Sequence, residues 1–152
     1  MGTQLPFDRL VRACESALGA SKDFDIVYQV GRNGYKPRTG LTHETLSRDL
    51  YANYLMDCDI FITHAGIGGI ASGVGAGKHM VVMPRLAKFG EHRNDHQMAT
   101  AASLREIPVV NSSDELLIAV RGFTSQARPA AAGSSLNLEF GEKLMDHIQG
   151  LA

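Results

Sequence analysis

Apolar residues Leu10, Val11, Cys14, Ala17 and Leu18 recur at three- and four-residue spacing and Gly19 follows them, which predicts an amphipathic helix over residues 5–18 with a glycine cap. Residues 24–30 instead alternate and carry β-branched side chains, then stop at Gly31-Arg32-Asn33-Gly34, whose residues tolerate positive φ. A strand and a turn are expected there. Leu46, Leu50, Tyr54 and Leu55 give residues 46–56 one apolar side, and Asp59-Ile60-Phe61-Ile62-Thr63 reads as a strand buried on both faces. A glycine-rich stretch from His64 to Gly77 then leads through a turn and a short helix to the apolar run 79–83, closed by Pro84. Met98, Ala101, Ala102 and Leu104 mark another helix, and residues 107–110 one more short strand. Ser112 and Glu115 form a capping box for a helix through Val120, with Ser112 accepting from the amide at 115 and Glu115 reaching back to the cap amide. Alternating strands and helices imply a parallel sheet covered by helices. Residues 1–123 form the domain, 124–135 a linker of small residues, and 136–152 a terminal amphipathic helix lined by Phe140, Leu144, Ile148 and Leu151.

Composition narrows the function classes. A chain of 152 residues that is 44% hydrophobic suits one domain with its own core. Fifteen basic against sixteen acidic residues provide no global positive field, so no nucleic acid is expected as a partner. Cys14 and Cys58 form no CxxC pair and follow no secretory leader, which points to a reducing compartment without a disulfide. No apolar run approaches the ~18 residues of a membrane span, so a soluble chain is expected. Glycine is the outlier: ten of its sixteen positions fall between Gly31 and Gly90.

Gly66, Gly68 and Gly69 sit at a strand-to-helix turn, where a ligand can approach the backbone and the free N–H groups and dipole of the helix suit a phosphate. Gly66-x-Gly68-x-x-Ala71 also matches a dinucleotide fingerprint, and Arg85 closes the next strand where an NADP reader would want a cation. The second cluster, residues 84–97, packs Arg85, Glu91, His92, Arg93, Asp95, His96 and Gln97 between a strand and a helix. Acid, amide and imidazole groups there can share hydroxyl hydrogen bonds of a sugar, and an arginine fork matches a carboxylate or phosphate. His92 and His96, four apart, can chelate a metal on a helix, but a histidine at a sugar-binding helix start needs none, so no metal is assigned.

Together these residues resemble the carboxyl-terminal, donor-binding domain of family 28 glycosyltransferases, one half of a GT-B fold. The resemblance runs from Gly2-Thr3 and Pro6-Phe7-Asp8-Arg9-Leu10 through Gln29-Val30-Gly31, Thr63 to Gly68, Gly77-Lys78, Val82 to Arg85 and Gly90 to Gln97. It implies a Rossmann-like domain with helices on both faces of its sheet. It places the donor diphosphate on His64, Ala65, Gly66, Ile67, Gly68 and Gly69 and the donor sugar on Glu91, Asp95, His96 and Gln97. Gly2, Thr3, Arg85, His92 and Arg93 complete the expected donor site, with His64 as the catalytic candidate. Relatives open with an apolar strand before the Gly-Thr turn, whereas Met1 directly precedes Gly2 here. That strand is expected either upstream or from another chain.

The resemblance is nearest to small soluble subunits of split enzymes. It implies a donor-binding subunit of an inverting glycosyltransferase that moves a sugar, favoured as glucuronic acid, from a UDP-sugar to a polyprenyl-linked saccharide in exopolysaccharide biosynthesis. Arg85 and Arg93 would read the donor carboxylate. No cofactor is expected, and a membrane-anchored acceptor-binding subunit would recruit the chain from the cytoplasm to the inner face of the membrane. The alternatives are a UDP-GlcNAc transferase subunit, an NAD(P)-dependent oxidoreductase, or a non-catalytic regulatory subunit. The last rests on Gly69 and Ser72, which stand where many relatives carry a serine and a ribose-binding glutamate.

Overall fold

A computed structural model describes residues 5–124, so Gly2, Thr3, most of the expected linker and the expected terminal helix lie outside the described residues. In chain order the elements are α1 (Asp8–Leu18), β1 (Val27–Gln29), β2 (Leu41–His43), α2 (Arg48–Asp57), β3 (Ile60–His64), α3 (Ile67–Gly75), β4 (His79–Met83), a 3-10 turn (Ala87–Phe89), α4 (His96–Ser103) and α5 (Ser113–Phe123). Both pairs of strands are parallel: β1 with β2 from Val27↔Leu41 to Gln29↔His43, and β3 with β4 from Ile60↔His79 to His64↔Met83.

Every residue of β4 is buried, and its alternation explains why the fold has two helix layers. Val81 and Met83 face a core built with Val11, Cys14 and Leu18 of α1 and Leu116 and Val120 of α5. Met80 and Val82 face the opposite core, with Ile70 of α3 and Ala101 and Leu104 beside them. A strand with a period of two thus buries both faces, as its unbroken apolar run requires. Gly73 permits the close approach of α3, since a Cβ there would lie 2.5 Å from Met80 Sδ.

Four expectations change. The expected strand at 107–110 contributes only the Val82↔Val109 bridge, flanked by Val82 N–H to Pro108 O and Val110 N–H to Val82 O, because Pro108 has no N–H to extend a ladder. Residues 59–63, expected to be buried on both faces, give a β3 that is half-buried except at Thr63; among the described residues it pairs with β4 alone. The strand expected over 24–30 is only three residues long, and β2 joins it without any apolar alternation of its own. Ser112 caps α5 by accepting from Glu115 N–H, but Glu115 reaches past the cap to Asn111 N–H. No helix among the described residues is long and apolar enough to cross a membrane.

Candidate functional site

The carboxyl ends of β3 and β4 carry the two segments singled out by sequence. At the end of β3, Gly66 N–H bonds His64 O at 2.8 Å and the chain turns into α3. No side chain caps α3, so its first-turn N–H groups are left for solvent or a ligand. None of Gly66, Gly68 or Gly69 has positive φ, so Gly66 and Gly69, where a Cβ would crowd His64 and Thr63, serve clearance rather than an unusual backbone conformation. A Cβ on Gly66 would lie 2.1 Å from His64 Cε1 and 2.6 Å from its Nδ1: the imidazole lies over the turn in space that only glycine leaves. A Cβ on Gly68 would meet nothing within 4 Å, so the turn is open on that side.

Beyond β4 the chain is tied to itself. Three successive backbone N–H groups after Pro84 each meet a side chain from further along the loop. Arg85 N–H donates to Gln97 Oε1 at 3.0 Å, Leu86 N–H to Glu91 Oε2 at 2.9 Å and Ala87 N–H to Asp95 Oδ1 at 2.9 Å. The spacing of Glu91, Asp95 and Gln97 is therefore first a set of loop braces, each accepting from a backbone donor, of which the Arg85 N–H is buried and needs an internal partner. Gly90, at φ 67, makes the reversal that brings them back.

Arg85 and Glu91, expected against the donor, are committed inside the protein. Arg85 is buried and its guanidinium donates to the carbonyls of Leu5, Pro6 and Glu91, with its plane over Phe7. Glu91 is held by Arg9 through both oxygens and by Leu86 N–H. Burial alone would raise the Glu91 pKa, but these hydrogen bonds and the charges of Arg9 and Arg85 outweigh it and hold the carboxyl below its usual range. His92 turns back onto Asn94, whereas Arg93, Asp95 and His96 are exposed. Arg9 is a residue whose role sequence reasoning missed. It stands in one of the matching blocks, but nothing in its spacing marks a partner 82 positions away.

The two segments meet at one contact: Gln97 Nε2 lies 3.3 Å from His64 Nδ1. Burial, then the positive charge of Arg85, pushes the His64 pKa down to about 4, so at neutral pH the ring is uncharged. The arrangement offers an anion the uncapped end of α3 and a neutral imidazole, and offers hydroxyls the exposed Asp95 and His96 beside them. An open cavity of about 520 Å³ is lined by Leu86, Lys88, Phe89 and Asp95 of this loop together with Arg9 and Met98, but contains none of the glycine turn. The chemistry of the turn, not cavity size, therefore locates the candidate site.

Residues 2–119 match the family model described as the glycosyltransferase family 28 C-terminal domain. No curated protein matches the sequence. Among solved structures the fold is similar to that titled "Crystal Structure Analysis of the Glycotransferase of kitacinnamycin", with a TM-score of 0.62 and 22% identity over 97% of this chain. The chain spans 38% of the length of that glycosyltransferase. The family match sets aside the oxidoreductase reading of Gly66, Gly68 and Ala71, and the chain belongs to the family of glycosyltransferase family 28 C-terminal domains.

Proposed function

We propose that this chain binds a UDP-sugar and supplies the donor half of an inverting glycosyltransferase. The observation that carries the reading is the Gln97 to His64 contact, which brings the glycine turn and the polar loop to one edge of the sheet. The diphosphate lies against the uncapped N–H groups of α3, where the helix dipole and the peptide donors stabilise the charge that develops on it. An acceptor hydroxyl attacks the anomeric carbon, the bond from that carbon to the diphosphate oxygen breaks, and the hydroxyl proton passes to a base on the acceptor-binding half. No cofactor takes part.

The favoured donor is UDP-glucuronate, with UDP-GlcNAc as the alternative. Arg93 is the better candidate for its carboxylate, because Arg85 spends its fork on backbone carbonyls while Arg93 is exposed on the same loop. The acceptor is a polyprenyl-linked saccharide of exopolysaccharide biosynthesis. The partner is a membrane-anchored acceptor-binding subunit that draws this chain from the cytoplasm to the inner face of the membrane.

The test is thermal protection of the full chain. A ligand that binds only the folded state adds RT ln(1 + [L]/Kd), about 2.7 kcal/mol at a hundredfold excess over Kd. UDP is expected to raise the Tm, and UDP-glucuronate to raise it further than UDP-GlcNAc. No shift with UDP overturns the donor reading. Equal shifts for the two sugars overturn the glucuronate preference alone.

A further inference from the structure

The orientation of the Gln97 amide dictates where the His64 proton sits. A backbone N–H can only donate, so the Gln97 atom 3.0 Å from Arg85 N is the amide oxygen. The atom facing His64 Nδ1 at 3.3 Å is then the amide nitrogen, which has no acceptor capacity. Nδ1 must accept, and in a neutral ring the single proton is left on Nε2. The amide cannot reverse at low cost: Gln97 is 7% exposed, and a flipped side chain would set two donors against each other at Arg85 and leave both without an acceptor. Nor is the ring free to swing, since it lies in the space that Gly66 leaves without a Cβ. Among the described residues Nε2 has no hydrogen-bond partner. The charged and titratable groups that bear on the ring are Arg85 and His92, and positive charge on either disfavours a second proton on it.

We propose that Gln97 is a positioning residue that locks His64 as the Nε2–H tautomer, making the imidazole a fixed hydrogen-bond donor toward an anionic oxygen at the glycine turn and removing it as a general base. With Nε2 already protonated and Nδ1 occupied by an N–H, neither ring nitrogen is available to take a proton from a hydroxyl. Gln97 acts only through His64. Only the identity of the accepting oxygen, one belonging to the diphosphate, rests on the donor-site reading; the tautomer does not.

Nitrogen-15 spectra of the imidazole rings in the full chain test this without a ligand, with His64→Gln identifying the His64 signals. At neutral pH the wild type is expected to show a protonated Nε2 and a bare Nδ1. In Gln97→Glu one carboxylate oxygen still accepts from Arg85 N–H while the other accepts from the ring, so a proton is expected on Nδ1. Gln97→Met, which fills the space without a donor, is expected to give a mixture. UDP binding should weaken about tenfold or more in Gln97→Glu, the cost of losing one hydrogen bond to a charged group. A wild-type ring protonated on Nδ1, or already a mixture, overturns the proposal, and that spectrum decides even if the Gln97 variants fail to fold. An unchanged ring pattern in folded Gln97→Glu also overturns it. The expected tautomer switch in a chain that binds no UDP upholds the lock and removes the donor-site reading.

Discussion

Arg9, in the first turn of α1, holds both carboxylate oxygens of Glu91, with Nε 2.8 Å from Oε1 and Nη2 2.9 Å from Oε2. The same Nη2 donates to Pro84 O at 2.7 Å, so one guanidinium fastens both ends of the segment between β4 and the glycine at position 90. Glu91 is 8% exposed and Arg9 22%, so the pair is screened by little water. Removing Arg9 leaves a nearly buried carboxylate with Leu86 N–H as its remaining donor.

Arg9→Met is therefore expected to destabilise the chain by about 3 kcal/mol, toward the lower end for breaking a buried pair because the arginine is partly exposed. The effect should also depend on pH. The Glu91 pKa is depressed in the folded state, so its stabilisation is present above the unfolded carboxylate pKa and is lost as pH falls through the folded value. Urea midpoints measured from pH 7 downward check both points. The idea fails if wild type and Arg9→Met lose stability in parallel across that window.

Gly66→Ala should separate binding from folding. Its Cβ meets the His64 ring rather than backbone, so the ring is displaced and the backbone is not. UDP protection is expected to disappear while the unfolding free energy measured in urea falls by no more than about 1–3 kcal/mol of overpacking. Retained UDP affinity in a folded variant would contradict a role for the ring position.

Lys78 is buried, and its Nζ donates to Met56 O at 2.6 Å and Cys58 O at 2.8 Å, closing the carboxyl end of α2. A cation placed there satisfies carbonyls that the helix leaves open and complements its dipole. Lys78→Met keeps the aliphatic stem and removes the charged donor from both carbonyls, for an expected loss of about 2–3 kcal/mol. Amide exchange in α2 should speed up more than in α5, and equal change in both helices would argue against a local cap.

Cys14 sits in the core shared by α1, β4 and α5, and burial pushes its thiol up to about 12. At pH 8 only roughly one molecule in ten thousand carries the thiolate that reacts with an alkylating agent. Mass spectrometry after brief iodoacetamide treatment should find Cys14 unmodified in the native chain and modified in denaturant. Labelling at equal rates in the two states would mean that α1 does not cover it.

The elements legible in the sequence are those whose pattern is local. Val11, Cys14 and Leu18 are spaced on one helical face and are buried as that spacing requires, and the run from His79 to Met83 is buried throughout. Leu41–His43 was not legible, because three residues with an exposed leucine and a half-buried threonine and histidine are strand only by pairing with β1. At the site, the glycine turn and the polar loop were both visible, yet the duties of the loop residues were not. Glu91, Asp95 and Gln97 have the chemistry of sugar ligands and of loop braces alike, and the choice depends on which backbone N–H groups fold back to meet them. Arg85 illustrates the same limit: its partners at Leu5 and Pro6 lie some 80 positions earlier, beyond any spacing rule.

The three N–H groups of Arg85, Leu86 and Ala87, already satisfied by Gln97, Glu91 and Asp95, also determine what kind of encounter this edge supports. A ligand arriving there meets a segment whose ordering entropy was lost when the chain folded rather than at the moment of contact. Its association rate is then limited by diffusion and orientation instead of by loop closure, and its binding heat capacity reports the area it covers alone.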